Sequence, residues 1–201
     1  MYYNIEVSTM SGKVIIVSAP SGAGKTTIVK HLLSRENLHL EFSISACTRP
    51  KRDDETEGTD YYFMTVDEFR SKIEDNWFLE WEEVYKGSYY GTPKSEVERI
   101  WENGFNILFD VDVEGAVNLK QFFKEKALSV FIMPPSIEEL QRRLEKRGMD
   151  SPDKIRKRIN KAGYELKFVS KFDRTIINDD LNKALQETEK MALEFLTQTQ
   201  A

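Results

Sequence analysis

The stretch Val14-Ile15-Ile16-Val17-Ser18-Ala19-Pro20-Ser21-Gly22-Ala23-Gly24-Lys25-Thr26-Thr27 places an apolar run directly before a loop of small residues and a lysine. It matches the pattern of a phosphate-binding loop, with Ala19 where the strict pattern has glycine. In such a loop backbone N–H groups curl around phosphates, and the following helix adds the positive end of its dipole. We expect Lys25 to reach the β- and γ-phosphates and the Thr26 hydroxyl to ligate Mg²⁺. An ordinary glycine-rich turn between strand and helix is the alternative interpretation.

Outward from this stretch, short apolar runs rich in β-branched residues alternate with longer segments of helical periodicity. The predicted strands are residues 13–18, 42–45, 107–111, 129–133 and 175–177. The predicted helices are residues 25–35, 67–76, 94–102, 115–125, 137–147, 153–168 and 181–196. Continuous apolar strands alternating with helices are typical of a parallel sheet covered on both faces. The pattern therefore predicts an α/β fold with a doubly wound parallel sheet.

The 201 residues are enough for a single domain with an embedded lobe. Between residues 46 and 92 the alternation stops and short β-like segments follow one another, which predicts a small β-containing lobe. The stretch Gly148-Met149-Asp150-Ser151-Pro152 forms a turn between two basic helices, which predicts a helical lid over about residues 138–168. The predicted core comprises the remaining segments, at about 13–45, 93–137 and 169–197.

The composition excludes several classes of protein. With 40% hydrophobic and 31% charged residues, the chain is neither disordered nor collagen-like. Its apolar runs are far shorter than the roughly 20 residues of a membrane helix, and Met1-Tyr2-Tyr3-Asn4-Ile5-Glu6 lacks the features of a secretion signal. The single cysteine, Cys47, fits a reducing compartment. We therefore expect a cytoplasmic protein with no membrane association.

The formal net charge of −5 argues against a general nucleic-acid binder, but the charge is unevenly distributed. Residues 53–83 contain 12 acidic and 2 basic side chains, whereas residues 138–174 contain 12 basic and 7 acidic ones. This polarity suggests a ligand with both hydrogen-bond donors and anionic groups. Two solvated helical faces would account for the same charges without a ligand.

Two carboxylates follow the apolar run Asn106-Ile107-Leu108-Phe109, at Asp110 and Asp112. The alternation of side chains along a strand points both to the same side, at the carboxyl edge where α/β sheets bind ligands. Asp110 is therefore a candidate to hold Mg²⁺ through water beside the phosphate loop. Capping of the strand or of the next helix is the alternative interpretation.

A second anion site is predicted after residue 45, where Arg49 and Arg52 precede Tyr61 by a few residues. If the acceptor is itself a phosphate, its second pKa of about 6 leaves it ionised at pH 7, so no general base is required. Further along, Arg143, Arg147 and Arg158 lie in the predicted lid, where arginines can stabilise charge on a moving phosphoryl group.

The acidic lobe also offers groups that could select a base. One carboxylate, Glu80, can accept from the adjacent N1–H and N2 amino groups of guanine, with Asp112 nearby on the sheet edge. The O6 atom of guanine needs a donor, for which Ser45 and Thr92 are candidates. Adenine has only one donor group on that edge, so the set favours guanine. A plain surface charge is the alternative interpretation of Glu80.

Together these segments resemble the guanylate kinase family, whose members transfer phosphate from ATP to GMP. The similarity extends from about residue 13 to about residue 194. It is carried by residues 19–27, Phe42-Ser43-Ile44-Ser45, Thr48-Arg49-Pro50-Lys51-Arg52, Gly58-Thr59-Asp60-Tyr61-Tyr62-Phe63, Phe78-Leu79-Glu80-Trp81, Tyr89-Tyr90-Gly91-Thr92, Leu108-Phe109-Asp110-Val111-Asp112-Val113-Glu114-Gly115, Arg142-Arg143-Leu144-Glu145-Lys146-Arg147-Gly148 and Ile177-Asn178-Asp179-Asp180-Leu181. Each segment is short, but their order and spacing together are specific.

The resemblance implies a fold and a role for each matching residue. The fold is a phosphate-loop kinase core with a parallel five-stranded sheet, a small β-containing GMP-binding lobe and a helical lid. ATP is bound by Ala19, Pro20, Ser21, Gly22, Ala23, Gly24, Lys25, Thr26 and Thr27, with Asn178 near the adenine. GMP, or dGMP, is bound by Ser45, Arg49, Arg52, Tyr61, Glu80, Tyr90, Thr92 and Asp112. The catalytic residues are Lys25, Arg143, Arg147 and Arg158, and the Mg²⁺ residues are Thr26 and Asp110.

The chain departs from the family pattern at Ala19, Cys47 and Glu114, and the loop at residues 86–88 is one residue longer. None of these changes removes a group that the chemistry needs. Two other functions remain open: a non-catalytic guanylate-kinase-like interaction module, and a phosphate-loop kinase with a different acceptor. The expected partners are the nucleotides ATP and GMP, with no nucleic acid, no membrane and no obligate protein partner.

Overall fold

The computed structural model describes residues 12–148 and 150–198, so Met149 and the N-terminal residues 1–6 discussed above lie outside the described ranges. The strands are β1 (Val14–Ser18), β2 (Leu40–Phe42), β3 (Ala46–Cys47), β4 (Tyr62–Phe63), β5 (Phe78–Tyr85), β6 (Ser88–Pro93), β7 (Asn106–Asp110), β8 (Ala127–Met133) and β9 (Arg174–Ile177). The α-helices are α1 (Lys25–Leu33), α2 (Val66–Glu74), α3 (Lys94–Glu102), α4 (Val113–Phe123), α5 (Ile137–Arg147), α6 (Pro152–Glu165) and α7 (Leu181–Thr197).

Five strands form a parallel sheet in the order β2-β7-β1-β8-β9. The central strand β1 is buried throughout. Its side chains alternate between two apolar clusters: Ile15 and Val17 pack with α1, α5 and α7, whereas Val14 and Ile16 pack with α3 and α4. Because helices cover both faces, the strand is apolar at every position, and the predicted α/β fold with a doubly wound sheet is confirmed.

The other four strands form a separate sheet in the order β4-β3-β6-β5. It closes over its own small apolar cluster, in which the fully buried ring of Phe69 from α2 stacks on Phe78 with 4.3 Å between ring centroids. The prediction of a strand at 42–45 was wrong, because β2 ends at Phe42 and the next strand belongs to this second sheet. After Phe42 the N–H of Ser43 still donates to the carbonyl of Leu108 at 3.1 Å, whereas the N–H of Ile44 donates to the Glu96 carboxylate at 2.8 Å.

The basic segment after the sheet forms two helices. Helix α5 is anchored on the core, since Leu140 and Leu144 are buried in the cluster beneath β1. It ends at Gly148, which has φ 67°, and α6 begins with Pro152 at its first turn. The predicted helix at 153–168 is shorter as an α-helix, because the chain tightens into a 3₁₀ helix at Leu166–Lys171. Among the described residues, no helix is long and apolar enough to cross a membrane.

Candidate active site

The phosphate loop connects β1 to α1 as predicted. Gly22 and Gly24 adopt φ 96° and 98°, a left-handed conformation that side chains disfavour, and Gly24 is the N-cap of α1. The side-chain amide of Asn178 donates to the carbonyl of Ala23 at 2.7 Å and so holds the loop from the end of β9. The loop therefore presents the N-terminus of α1 at the carboxyl edge of the sheet, where an anion can bind.

Lys25 is the first residue of α1, and its ammonium lies beside the end of the neighbouring strand. The parallel register of β1 and β7 pairs Val17 with Asp110. Lys25 Nζ forms an ion pair with Asp110 Oδ1 and donates to the carbonyl of Val111 at 3.0 Å. The structure thus brings the predicted lysine and carboxylate together.

The predicted magnesium residues offer donors of the right kind. Thr26 presents an exposed hydroxyl in the first turn of α1, and Asp110 ends β7. Hydroxyl and carboxylate oxygens are hard ligands of the type that Mg²⁺ prefers, so the donor set fits the ion. In residues 12–148 and 150–198, no group of three or more His, Cys, Asp or Glu side chains could hold a metal.

The residues predicted to form a second anion site lie around Arg49, beside the small sheet. Its guanidinium donates to Glu55 through Nη1 at 2.7 Å and Nη2 at 2.5 Å, and it lies 4.8 Å from the centroid of the Tyr61 ring. This pairing lowers the pKa of Glu55 to about 2, while burial raises the pKa of Tyr61 to about 12. The rings of Tyr61 and Tyr90 have centroids 6.2 Å apart. Arg52 stands at the rim, with 58% of its side chain exposed. Both phenols stay protonated, so each can donate to an anion.

The predicted base-reading residues meet at the other end of this sheet. The antiparallel register places Glu80 opposite Thr92, whose hydroxyl donates to Glu80 Oε1 at 2.6 Å. Burial raises the pKa of Glu80 to about 7, and the nearby Asp112 carboxylate adds to this effect. A Cβ at Gly115 would lie 2.7 Å from Glu80 Oε2 and 3.2 Å from Asp112 Oδ1, so a side chain there would displace the Glu80 carboxylate from its present position. Pairing of strands β3 and β6 brings the buried Ser45 beside Thr92.

Asp112 also caps a helix, as one alternative interpretation of the sequence held. Its Oδ1 atom accepts from the N–H of Gly115 at 2.8 Å at the start of α4. This bond orients the carboxylate at the cleft edge and leaves Oδ2 available to a ligand.

Of the three lid arginines, Arg158 reaches the phosphate loop. Its Nη1 atom donates to the hydroxyl of Ser21 at 2.9 Å, and its Nε atom lies 3.4 Å from Asp150 Oδ2. Helix α6 therefore places a guanidinium against the phosphate loop.

The other two lid arginines are placed differently. Arg143 donates from Nη2 to the carbonyl of Asn178 at 2.9 Å and from Nε to Glu139 at 2.8 Å. Arg147 is exposed at the end of α5 and makes no hydrogen bond or ion pair with the described residues. The side chain of Asn178 is buried and donates to the phosphate loop. The resemblance implied a place near adenine for this residue and did not predict that hydrogen bond.

Three acidic residues near the cleft were not identified as candidates from the sequence. Glu55 orients Arg49, and Glu114 accepts from Tyr164 of the lid at 2.7 Å. Glu165 is only 5% exposed, its Oε2 atom has no hydrogen-bond partner within the described part of the chain, and burial raises its pKa to about 7. It lies seven positions after Arg158 in the same helix, a spacing that could have indicated a shared face.

Taken together, the cleft has a phosphate loop with a lysine and a carboxylate on one side. On the other side it has an arginine–tyrosine cluster beside a carboxylate–hydroxyl pair. A family model described as guanylate kinase matches residues 11–194. A guanylate kinase from Bacteroides thetaiotaomicron is 53% identical, with 96% of this chain and 95% of the relative aligned. One from Porphyromonas gingivalis is 49% identical over 92% of this chain and 98% of the relative.

A solved structure gives the same result. The crystal structure of guanylate kinase from Anaplasma phagocytophilum superposes with a TM-score of 0.77 at 29% identity, covering 94% of this chain and 89% of that one. The matched family model, the aligned relatives and the shared fold agree with the cleft geometry, and the chain belongs to the guanylate kinase family.

Proposed function

We propose that the chain transfers the γ-phosphoryl group of ATP to GMP, forming ADP and GDP, with Mg²⁺ bound between ATP and the protein. One observation carries the choice of acceptor: the carboxylate of Glu80, held by the Thr92 hydroxyl at 2.6 Å, lies beside Asp112. Ionised Glu80 can accept from both N1–H and the N2 amino group of guanine. An acceptor without two adjacent donors would leave this carboxylate unpaired, which is costly in a partly buried site.

The donor side is formed by the phosphate loop. Its backbone N–H groups and Lys25 bind the phosphates of ATP, and Thr26 and Asp110 would hold Mg²⁺. The ion, when bound, neutralises charge on the β- and γ-phosphates. Lys25 exchanges part of its contact with Asp110 for the phosphates, so the same two groups serve the substrate and the ion.

The acceptor phosphate is bound by Arg49, Arg52, Tyr61 and Tyr90. Because Arg49 donates two hydrogen bonds to Glu55, its guanidinium is oriented before the acceptor binds. The acceptor oxygen attacks the γ-phosphorus directly, and the bond from that phosphorus to the β–γ bridging oxygen breaks. A phosphate dianion needs no general base.

Charge on the moving phosphoryl group is stabilised by the lid. Arg158 Nη1 donates to the hydroxyl of Ser21 in the phosphate loop at 2.9 Å, so its guanidinium is placed to stabilise charge on a γ-phosphate bound by that loop. Arg143 and Arg147 join it when the lid closes over both nucleotides, and closure excludes water from the reacting atoms. The cytoplasm is the proposed location, supported by the unpaired, buried thiol of Cys47.

The test is ADP formation from ATP and Mg²⁺ with different acceptors: GMP, dGMP, AMP and glucose 6-phosphate. We expect GMP to drive ADP formation, AMP and the sugar phosphate to fail, and Lys25→Met to lower turnover by about 10²-fold or more. Lys30→Met, one turn further along the same helix and exposed, is the matched control and should keep full activity.

Two outcomes would contradict the proposal. Faster ADP formation with the sugar phosphate would identify a kinase with a different acceptor. No ADP formation with any acceptor, together with unchanged folding, would favour the non-catalytic interaction module.

A further inference from the structure

We infer that Glu96, a buried carboxylate of α3 outside both nucleotide sites, is a positioning residue that sets the location of the GMP-binding residues Ser45 and Tyr61. The inference rests on the proposed function, because it takes Ser45 and Tyr61 as contacts of GMP. Glu96 does not itself touch the acceptor.

Glu96 is 2% exposed, and its two carboxylate oxygens bind two different chain segments, one just before β3 and one in β4. Oε2 accepts from the backbone N–H of Ile44 at 2.8 Å, and Oε1 accepts from the hydroxyl of Tyr62 at 2.9 Å. Each of these residues is the direct chain neighbour of a proposed GMP contact. One carboxylate of the core therefore holds both chain segments that carry those contacts.

The carboxylate is in turn held by Arg99, one turn along the same helix. Arg99 donates to Oε1 from Nε at 3.1 Å and to Oε2 from Nη2 at 2.9 Å. It also pairs with Glu41 and donates to the carbonyl of Phe42 at 3.3 Å. With four donors satisfied, Glu96 is fixed in orientation, since bidentate arginine–carboxylate pairs are both strong and directional.

Hydrogen bonds hold the chain at Ser45 and at its neighbour Ile44. The backbone N–H of Tyr62 donates to the carbonyl of Ser45 at 3.0 Å, so Ser45 is tied to Tyr62 directly and to Glu96 through Ile44. This is also the place where the chain leaves the parallel sheet for the second sheet. None of these bonds involves residues 19–27, which bind ATP in the proposed function. Disturbing Glu96 should therefore weaken GMP binding and leave ATP binding intact.

The experiment measures the KM of GMP and of ATP in three variants. Glu96→Gln removes the charge and one acceptor, and Tyr62→Phe removes the single bond from the lobe while the carboxylate keeps its other donors. Glu102→Gln changes an exposed carboxylate of the same helix and is the matched control. We expect the KM of GMP to rise about tenfold in Glu96→Gln and about threefold in Tyr62→Phe. The KM of ATP should stay within about twofold in all three, and Glu102→Gln should match wild type.

Two results would overturn the inference: unchanged KM of GMP in both Glu96→Gln and Tyr62→Phe, or equal losses for GMP and ATP accompanied by a lower Tm. The second result would identify a purely structural residue. Glu80→Gln, measured alongside, separates this failure from failure of the proposed function. If Glu80→Gln impairs GMP use and the Glu96 variants do not, only the positioning role is wrong; if none of these variants affects GMP, the assignment of the acceptor site is wrong.

Discussion

Replacing Glu80 by glutamine should have opposite effects on stability and on GMP use at alkaline pH. Burial raises the pKa of Glu80 to about 7, against an ordinary value of 4.5. Between pH 4.5 and about pH 7 the folded protein binds more protons at Glu80 than the unfolded chain does. The free energy of unfolding therefore falls as the pH rises through this range. The loss reaches at most about 3 kcal/mol above pH 7, at 1.36 kcal/mol per pH unit. Glutamine carries no charge, so Glu80→Gln should escape the loss and be more stable than wild type at pH 8.

GMP use should change in the other direction. Glutamine offers one acceptor and one donor where guanine presents two donors, so the variant should lose about 1–3 kcal/mol of GMP binding, or about 5- to 150-fold in KM. This loss should be largest above pH 7, where wild-type Glu80 is ionised. Below pH 7 the wild-type carboxyl becomes protonated and loses the same acceptor, so the two proteins should converge.

The assays are urea unfolding of both proteins without nucleotide and the KM of GMP between pH 5.5 and 8.5. Titration of the GMP phosphate, with a second pKa of about 6, affects both proteins equally and cancels in the ratio of their KM values. A ratio that stays constant across this range would refute the reasoning. So would a Glu80→Gln variant less stable than wild type at pH 8, because the buried charge would then carry no penalty.

Three further predictions follow from the same geometry. Arg52→Ala should mainly raise the KM of GMP, because the acceptor phosphate is charged in both the ground state and the transition state. Arg158→Ala should mainly lower kcat, by about 10²-fold. Steady-state kinetics measure both effects, and an Arg158→Ala effect on KM alone would contradict the prediction. Asp110→Asn should raise the Mg²⁺ concentration needed for half-maximal activity, measured by titrating the metal at saturating nucleotides, and an unchanged requirement would remove Asp110 from the ion's shell. Phe69→Ala should destabilise the protein by about 3–5 kcal/mol in urea unfolding, because a fully buried ring stacked on Phe78 is lost; Phe122→Ala, at an exposed ring, is the control and should cost far less.

Features encoded over short stretches of sequence were predictable. The phosphate loop depends on glycines at 22 and 24 with positive φ and on a helix that starts at Lys25, and all of these follow from neighbouring residues. The doubly wound sheet could also be predicted, because strands that are buried on both faces are apolar at every position. The role of Glu80 in reading the base stays a prediction, which rests on the hydrogen-bond donors that guanine presents.

Features that depend on contacts between distant residues were not predictable. After β2 ends at Phe42, the N–H of Ile44 donates to Glu96, which lies 52 positions away in sequence. The hydrogen bond from the Asn178 side chain to the carbonyl of Ala23 joins residues that are 155 positions apart. Apolar periodicity records whether a residue is buried, but it does not record which polar partner a distant element will supply.

The amino-acid sequence by itself therefore determined the class of fold, the phosphate loop and the chemical identity of the residues in the cleft. The tertiary structure decided which partners their charged groups meet: Lys25 pairs with Asp110, Arg49 pairs with Glu55, and Arg158 donates a hydrogen bond to Ser21 of the loop. The reason is physical. Strand and helix formation follows from local sterics and periodic burial, whereas the partner of a charged side chain depends on which elements the packed core brings within a few ångströms.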